Sequence, residues 1–157
     1  MSKIFYLSEI INFAIEREKE AYTLYTKLSE ITDPPKAKQI FSLLAKEELH
    51  HQNYYEKFLE EISKEQTPGV SQNQEYQAYI QELIADQRKY SQDLVLLLED
   101  RSKAIKYAIA REKDSILFYV GLKNYVSPDN HSSLDMIIKT EEKHIIKLVE
   151  LKSFLNL

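Results

Sequence analysis

The sequence predicts an all-α fold: a four-helix bundle with a long crossover connection that contains an extra helix. Three observations carry the prediction. First, two glycines and four prolines in 157 residues, set among abundant Leu, Ile, Glu, Lys and Tyr, favour long helices joined by few turns. Second, apolar residues recur at i, i+3, i+4 and i+7 through four long stretches. Third, the chain repeats itself. The segment from Ile11 to Leu28 returns 94 positions later as Ile105 to Leu122, pairing Ile11 with Ile105, Ala14 with Ala108, Ile15 with Ile109, Arg17 with Arg111, Glu18 with Glu112, Lys19 with Lys113, Tyr25 with Tyr119 and Leu28 with Leu122. About one such identity would arise by chance, so the halves are internal repeats. The chain is long enough for one buried core and short for two. Residues 1–157 are therefore expected to form a single domain. A Glu helix and a Glu-x-x-His helix lie in 8–64, a crossover in 65–101, and the repeated pair in 102–157.

The first helix should begin near Ser8 and run to about Ile31, with Ile11, Ala14, Ile15, Glu18, Ala21, Tyr25 and Leu28 on one face. Tyr22 is expected in the core. Asp33-Pro34-Pro35 ends this helix and starts the next, with Asp33 as N-cap and Pro34 at the first helical position, where a missing N–H costs nothing. The second helix should run to about Lys64. It contains two overlapping Glu-x-x-His frames, Glu47 with His50 and Glu48 with His51. The frame through Phe41, Leu44, Ala45, Glu48, His51, Tyr55, Phe58 and Ile62 stays apolar, whereas the other ends in Lys57 and Glu61. Glu48 and His51 are accordingly placed inward, and His50 at the surface.

Thr67-Pro68-Gly69 breaks the chain, and the crossover that follows should include an amphipathic helix with Tyr76, Tyr79, Ile80, Leu83 and Ile84. A connection of this length is expected to let the third bundle helix enter parallel to the first. That helix should span about Ser102 to Val126. Ser127-Pro128-Asp129 then turns into the fourth helix, whose inward stripe is Leu134, Ile137, Ile138, Glu141, His144, Leu148, Leu151 and Leu155, with His131 at the surface.

Composition excludes several classes. Basic and acidic residues, 21 and 25, are interspersed, so no basic stripe suits a phosphate backbone and nucleic acid is not an expected partner. The absence of cysteine rules out disulfides and thiolate-held metal within these residues. Met1 to Ser8 lacks the pattern of a signal peptide, and no apolar run approaches the roughly 20 residues of a membrane span. A cytoplasmic location without membrane association is the expectation.

Four inward glutamates and two inward histidines would meet at mid-height of the bundle: Glu18, Glu48, His51, Glu112, Glu141 and His144. Buried carboxylates without compensating charge cost several kcal/mol each or take up protons. Two divalent cations balance four carboxylates, neutral imidazoles complete the coordination, and oxygen and nitrogen donors without sulfur suit iron or manganese. Residues i and i+3 share a helix face, so one helix can offer both a carboxylate and an imidazole. A lone glutamate or a lone Glu-x-x-His would mean little; both in matched copies point to a two-metal site. Tyr25 and Tyr119, two turns beyond Glu18 and Glu112, either hydrogen-bond a metal-bound carboxylate on a neighbouring helix, relay electrons, or are core aromatics with satisfied hydroxyls. Glu47 and Thr140 either support the histidines or lie on a solvated face.

At Ala14 to Ala21 with Tyr25, at Leu44 to Glu48 with His51, and at Glu112 to Ile116 with Tyr119, the sequence resembles the rubrerythrin-like branch of the ferritin-like superfamily. The resemblance implies a ferritin-like bundle holding two iron ions, bridged by Glu48 and Glu141, with Glu18 and Glu112 terminal and one histidine on each. It also implies reduction of hydrogen peroxide. Two departures stand out. Rubrerythrins typically carry a further glutamate three residues after the helix-three ligand, where this chain has Ser115, leaving the set more usual in bacterioferritin. They also append a rubredoxin domain with four cysteines.

The expected function is therefore non-haem di-iron redox chemistry on peroxide or oxygen, supplied by an external electron donor such as a rubredoxin-like protein. Manganese or another divalent ion is the alternative metal. A ferroxidase or iron-handling protein and a metal-stabilised structural module are the alternative functions. A homodimer is expected, because the tyrosine-rich crossover helix needs a surface to cover.

Overall fold

The computed structural model describes residues 7–63, 74–88 and 99–157, and every regular element among them is helical. Four long helices form the bundle: α1 (Leu7–Ile31), α2 (Pro35–Ser63), α4 (Arg101–Leu122) and α5 (His131–Phe154); the shorter α3 (Gln74–Arg88) lies between α2 and α4 in the chain. The Thr67-Pro68-Gly69 break, the end of the second helix at Lys64 and the side chain of Tyr76 fall outside the described residues. No helix among those described is long and apolar enough to cross a membrane.

Helix ends follow local chemistry, with two shifts from expectation. Pro34, joined to Asp33 by a cis peptide, accepts from the N–H groups of Ala37 (3.0 Å) and Lys38 (3.2 Å). It takes the cap position that the sequence assigned to Asp33, and Pro35 becomes the first helical residue. Asp100 caps α4, its Oδ1 accepting from Ser102 N (3.0 Å) and Lys103 N (3.3 Å). That helix stops at Leu122, short of the expected Val126. Asn124 turns back onto Gly121 O through both its N–H (3.1 Å) and Nδ2 (3.0 Å), and the turn sends Tyr125 and Val126 into the core. A 3-10 turn, Pro128–Asn130, leads into α5.

The core divides into two apolar clusters. One gathers the first half of α1 (Ile10, Ile11, Ala14), the second half of α2 (Tyr55, Phe58), the end of α4 (Phe118, Leu122) with Tyr125 of the turn after it, and the start of α5 (Leu134, Ile137). The other gathers Leu24, Tyr25 and Leu28 of α1, Phe41 and Leu44 of α2, Ala104, Ile105 and Ala108 of α4, and Leu148 and Leu151 of α5. This pairing of ends fixes direction. The end of α4 packs with the start of α1, so α4 is antiparallel to α1 and parallel to α2, opposite to the sequence expectation. The reason is geometric: a short loop after α2 would have sent the chain straight back parallel to α1. The crossover instead returns it to the end from which α2 set out.

Two side-chain expectations also change. Tyr22 is 36% exposed, while Leu24 and Arg17 are buried at 3% each. Arg17 reaches Arg111 O on α4, so the flank of α1 turned toward α4 is the one enclosed. On α3 the buried face is Gln77, Ile80 and Ile84, and Tyr79 is 39% exposed. The Tyr79 ring lies over Gly121 of α4, where an added Cβ would sit 3.3 Å from Cε1; a bare backbone lets α3 approach this closely.

Candidate metal centre

Between the two apolar clusters lies a polar layer. Glu18 comes from α1, Glu48 and His51 from α2, Glu112 from α4, and Glu141 and His144 from α5. All six are 0 to 7% exposed, since each occupies the helical stripe that carries apolar residues above and below it. Their donor atoms form two groups, Glu18, Glu48, His51 and Glu141 in one and Glu48, Glu112, Glu141 and His144 in the other, with the atoms of each within 4.8 Å of one another. Glu48 and Glu141 belong to both. In the competing frame, His50 is exposed and Glu47 only half-buried.

The histidines face this layer through Nδ1. His51 Nδ1 lies 2.7 Å from Glu141 Oε1, 3.2 Å from Glu48 Oε2 and 3.7 Å from Glu18 Oε2. His144 Nδ1 lies 3.2 Å from Glu48 Oε1 and 3.3 Å from both Glu112 Oε1 and Glu141 Oε2. One imidazole nitrogen cannot serve three carboxylates with a single proton. Both buried oxygens of Glu141 lack a hydrogen-bond partner despite the near nitrogen. Donor atoms crowded about a shared point, with lone pairs unsatisfied, fit cations held between them.

Electrostatics points the same way. Burial, then the charge of Glu48, pushes the Glu18 carboxyl up to about 7. Burial, then Glu141, pushes Glu112 up to about 8. Burial lowers both histidines, but the surrounding carboxylates outweigh it and hold each imidazolium well above its ordinary range. The layer demands positive charge, from protons or from metal ions.

Around the six sit groups that orient them. Tyr25 of α1 donates to Glu112 Oε1 on α4, and Tyr119 of α4 donates to Glu18 Oε1 on α1. Burial and the neighbouring glutamates keep both phenols well above their usual range, so they remain donors. His144 Nε2 donates to Glu47 Oε2 at 2.6 Å, and this bond holds the Glu47 carboxyl low. Thr140 instead donates to Met136 O of its own helix at 3.0 Å. His131, expected at the surface, is half-buried, its Nε2 donating to Lys123 O at 2.8 Å.

The sequence reading missed a buried pair of arginines. Arg17 donates to Arg111 O (3.2 Å) and Ser115 Oγ (2.6 Å), and Arg111 donates to Glu20 Oε2 (2.9 Å). Burial, then the nearby Arg111 charge, lowers the Arg17 guanidinium from its ordinary value. The signal was present, because Arg17 and Arg111 match in the internal repeat, yet arginine on a helix flank usually reads as solvated.

The sequence matches the rubrerythrin family model over residues 9–152. The chain belongs to the rubrerythrin family. A solved structure from Thermotoga maritima, described as a candidate ferritin-like diiron-carboxylate protein, is similar across 98% of each chain with a TM-score of 0.70 and 24% identity. That likeness supports the ferritin-like helical fold. No curated protein matches the sequence. Ser115, where the resemblance drawn from the sequence implies a further glutamate, accepts from Arg17 (2.6 Å) and donates to Arg111 O (3.0 Å).

Proposed function

We propose that the protein is a di-iron redox protein that reduces hydrogen peroxide, or oxygen, with electrons from an external donor. The observation that carries the reading is the pair of overlapping buried Glu and His groups sharing Glu48 and Glu141. In this proposal Glu48 and Glu141, which belong to both groups, would be shared by two iron ions, Glu18 and His51 would complete the set for one, and Glu112 and His144 would complete it for the other. Bound in this way, a ferrous pair supplies two electrons to an oxidant.

The chain's own residues set the conditions for that chemistry. The apolar clusters on either side of the layer exclude water. Tyr119 holds Glu18 Oε1 by donation and leaves Oε2, the oxygen on the side of His51 Nδ1, for a cation, while Tyr25 fixes Glu112 through Oε1, the oxygen that also faces His144 Nδ1. These 157 residues contain no cysteine, so electrons would reach the centre from outside them, and we take a rubredoxin-like protein as the donor and a cytoplasmic homodimer as the working form. A second reading, ferroxidation with oxygen as oxidant, is favoured by the serine at position 115.

The test is to load the protein anaerobically with ferrous iron, quantify the metal, and mix it separately with hydrogen peroxide and with oxygen in a stopped-flow spectrometer. Two irons per chain oxidised faster by peroxide are expected. Faster oxidation by oxygen selects an oxidase or ferroxidase in place of a peroxidase, and loading without oxidant consumption leaves a structural module.

A further inference from the structure

The repeat that builds the centre is broken at one pair of positions. Glu47 precedes Glu48 in α2, and the matching residue before Glu141 in α5 is Thr140. In the symmetry of the repeat these positions are counterparts, each answering to the histidine of the opposite helix. Only Glu47 bonds it. His144 Nε2 donates to Glu47 Oε2 at 2.6 Å, and Lys147 Nζ flanks the same oxygen at 3.9 Å. His51 makes its polar contacts inward, through Nδ1, while Thr140 spends its hydroxyl on Met136 O.

A carboxylate accepting from the far nitrogen fixes the tautomer with the Nδ1 lone pair facing the metal, locks the ring and raises its basicity. His144 has this support; among the described residues no carboxylate does the same for His51.

The arginine pair breaks the symmetry in the same direction. Arg111, adjacent to Glu112, is paired with the Glu20 carboxylate at 2.9 Å. Its counterpart Arg17, adjacent to Glu18, hydrogen-bonds neutral oxygens, and its Nε and Nη1 are buried without a hydrogen-bond partner. Arg111, whose Nη1 is likewise buried without a hydrogen-bond partner, thus has a carboxylate at ion-pair distance, whereas Arg17 feels Glu18 and Asp114 through their charge.

Building on the metal-centre reading above, we propose that the two metal positions are unequal: the position built on Glu112 and His144 fills first and holds its ion more tightly, and Glu47 sets that order as a positioning residue. At limiting metal the protein accumulates in a one-ion form, and the ion beside His51 exchanges more readily.

An anaerobic titration of metal-free protein with cobalt(II), followed by its visible ligand-field bands and by equilibrium dialysis, tests this without any turnover. Wild type should bind two ions in separated steps. Glu47→Gln, which keeps the shape and removes the charge, should weaken the first step by about 10- to 100-fold and leave the second nearly unchanged. Thr140→Glu should tighten the second step and draw the two together. Circular dichroism on each metal-free variant establishes that the helices are intact. Equal steps in wild type, or equal weakening of both steps in Glu47→Gln, would overturn the proposed order. Failure of wild type to bind two ions per chain would instead overturn the two-metal reading on which it rests.

Discussion

Phe118 and Glu112 lie less than two turns apart on α4 and are almost equally hidden, at 0% and 2% exposure, yet burial acts on them in opposite ways. The phenyl ring leaves water for apolar neighbours and stabilises the fold. The carboxylate loses its hydration and meets the charge of Glu141, which pushes its proton affinity up. The apolar clusters can therefore hold the bundle whether or not metal is bound, whereas the polar layer is favourable only once positive charge has entered it.

The widest separation should come from truncation. Phe118→Ala should cost about 3–5 kcal/mol in denaturant unfolding, with metal stoichiometry unchanged in the folded fraction. Glu48→Ala should do the reverse: metal content falls severely, because both groups lose a member, while metal-free stability holds or rises as the repulsion on Glu18 is relieved. Parallel losses of stability and metal in both variants would erase the contrast between the regions.

An intermediate effect is expected from pH. Folded Glu18 and Glu112 keep protons to about 7 and about 8, against an ordinary value of 4.5. Their contribution is fully present below about 4.5 and is lost as pH rises through 7 to 8, because the folded state then surrenders protons it had bound in excess. The melting temperature of metal-free protein should fall by several degrees between pH 5 and pH 8. Metal-loaded protein should show the opposite trend, since the ions displace those protons and bind more tightly as pH rises. A metal-free melting temperature that rises over this window would contradict the assignment.

The smallest effect belongs to the groups around the layer. Tyr25→Phe removes one donor from Glu112 and keeps the ring that stacks on Phe41. Unfolding of the loaded protein should weaken by about 1–3 kcal/mol, read as a lower denaturant midpoint, with the apolar clusters unaffected.

Much of this contrast was legible in the sequence. The helical period and the internal repeat located the four long helices and the six residues that the structure brings together, because period and repeat are local properties of the chain. What was hidden depended on partners. The direction of α4 follows from where the crossover delivers the chain. The burial of Arg17 and Leu24 in place of Tyr22 depends on which flank of α1 meets α4. The inward face of α3 depends on its seat over Gly121, and the early end of α4 on the turn that carries Tyr125 into the core. Glu47 and Thr140 looked alike as residues preceding a glutamate, and only the facing helix separates their roles.

The crossed bonds Tyr25 to Glu112 and Tyr119 to Glu18 bear on assembly as well as on chemistry. The α1–α2 and α4–α5 hairpins are each closely packed within themselves and touch one another more sparingly, so apolar contacts alone would let one hairpin slide along the other. A slip of one helical turn, about 5.4 Å, would set carboxylates against Phe118 or Leu44 and strand both phenolic hydroxyls. The polar layer thus acts as a register mark, allowing the two hairpins to close at one height only.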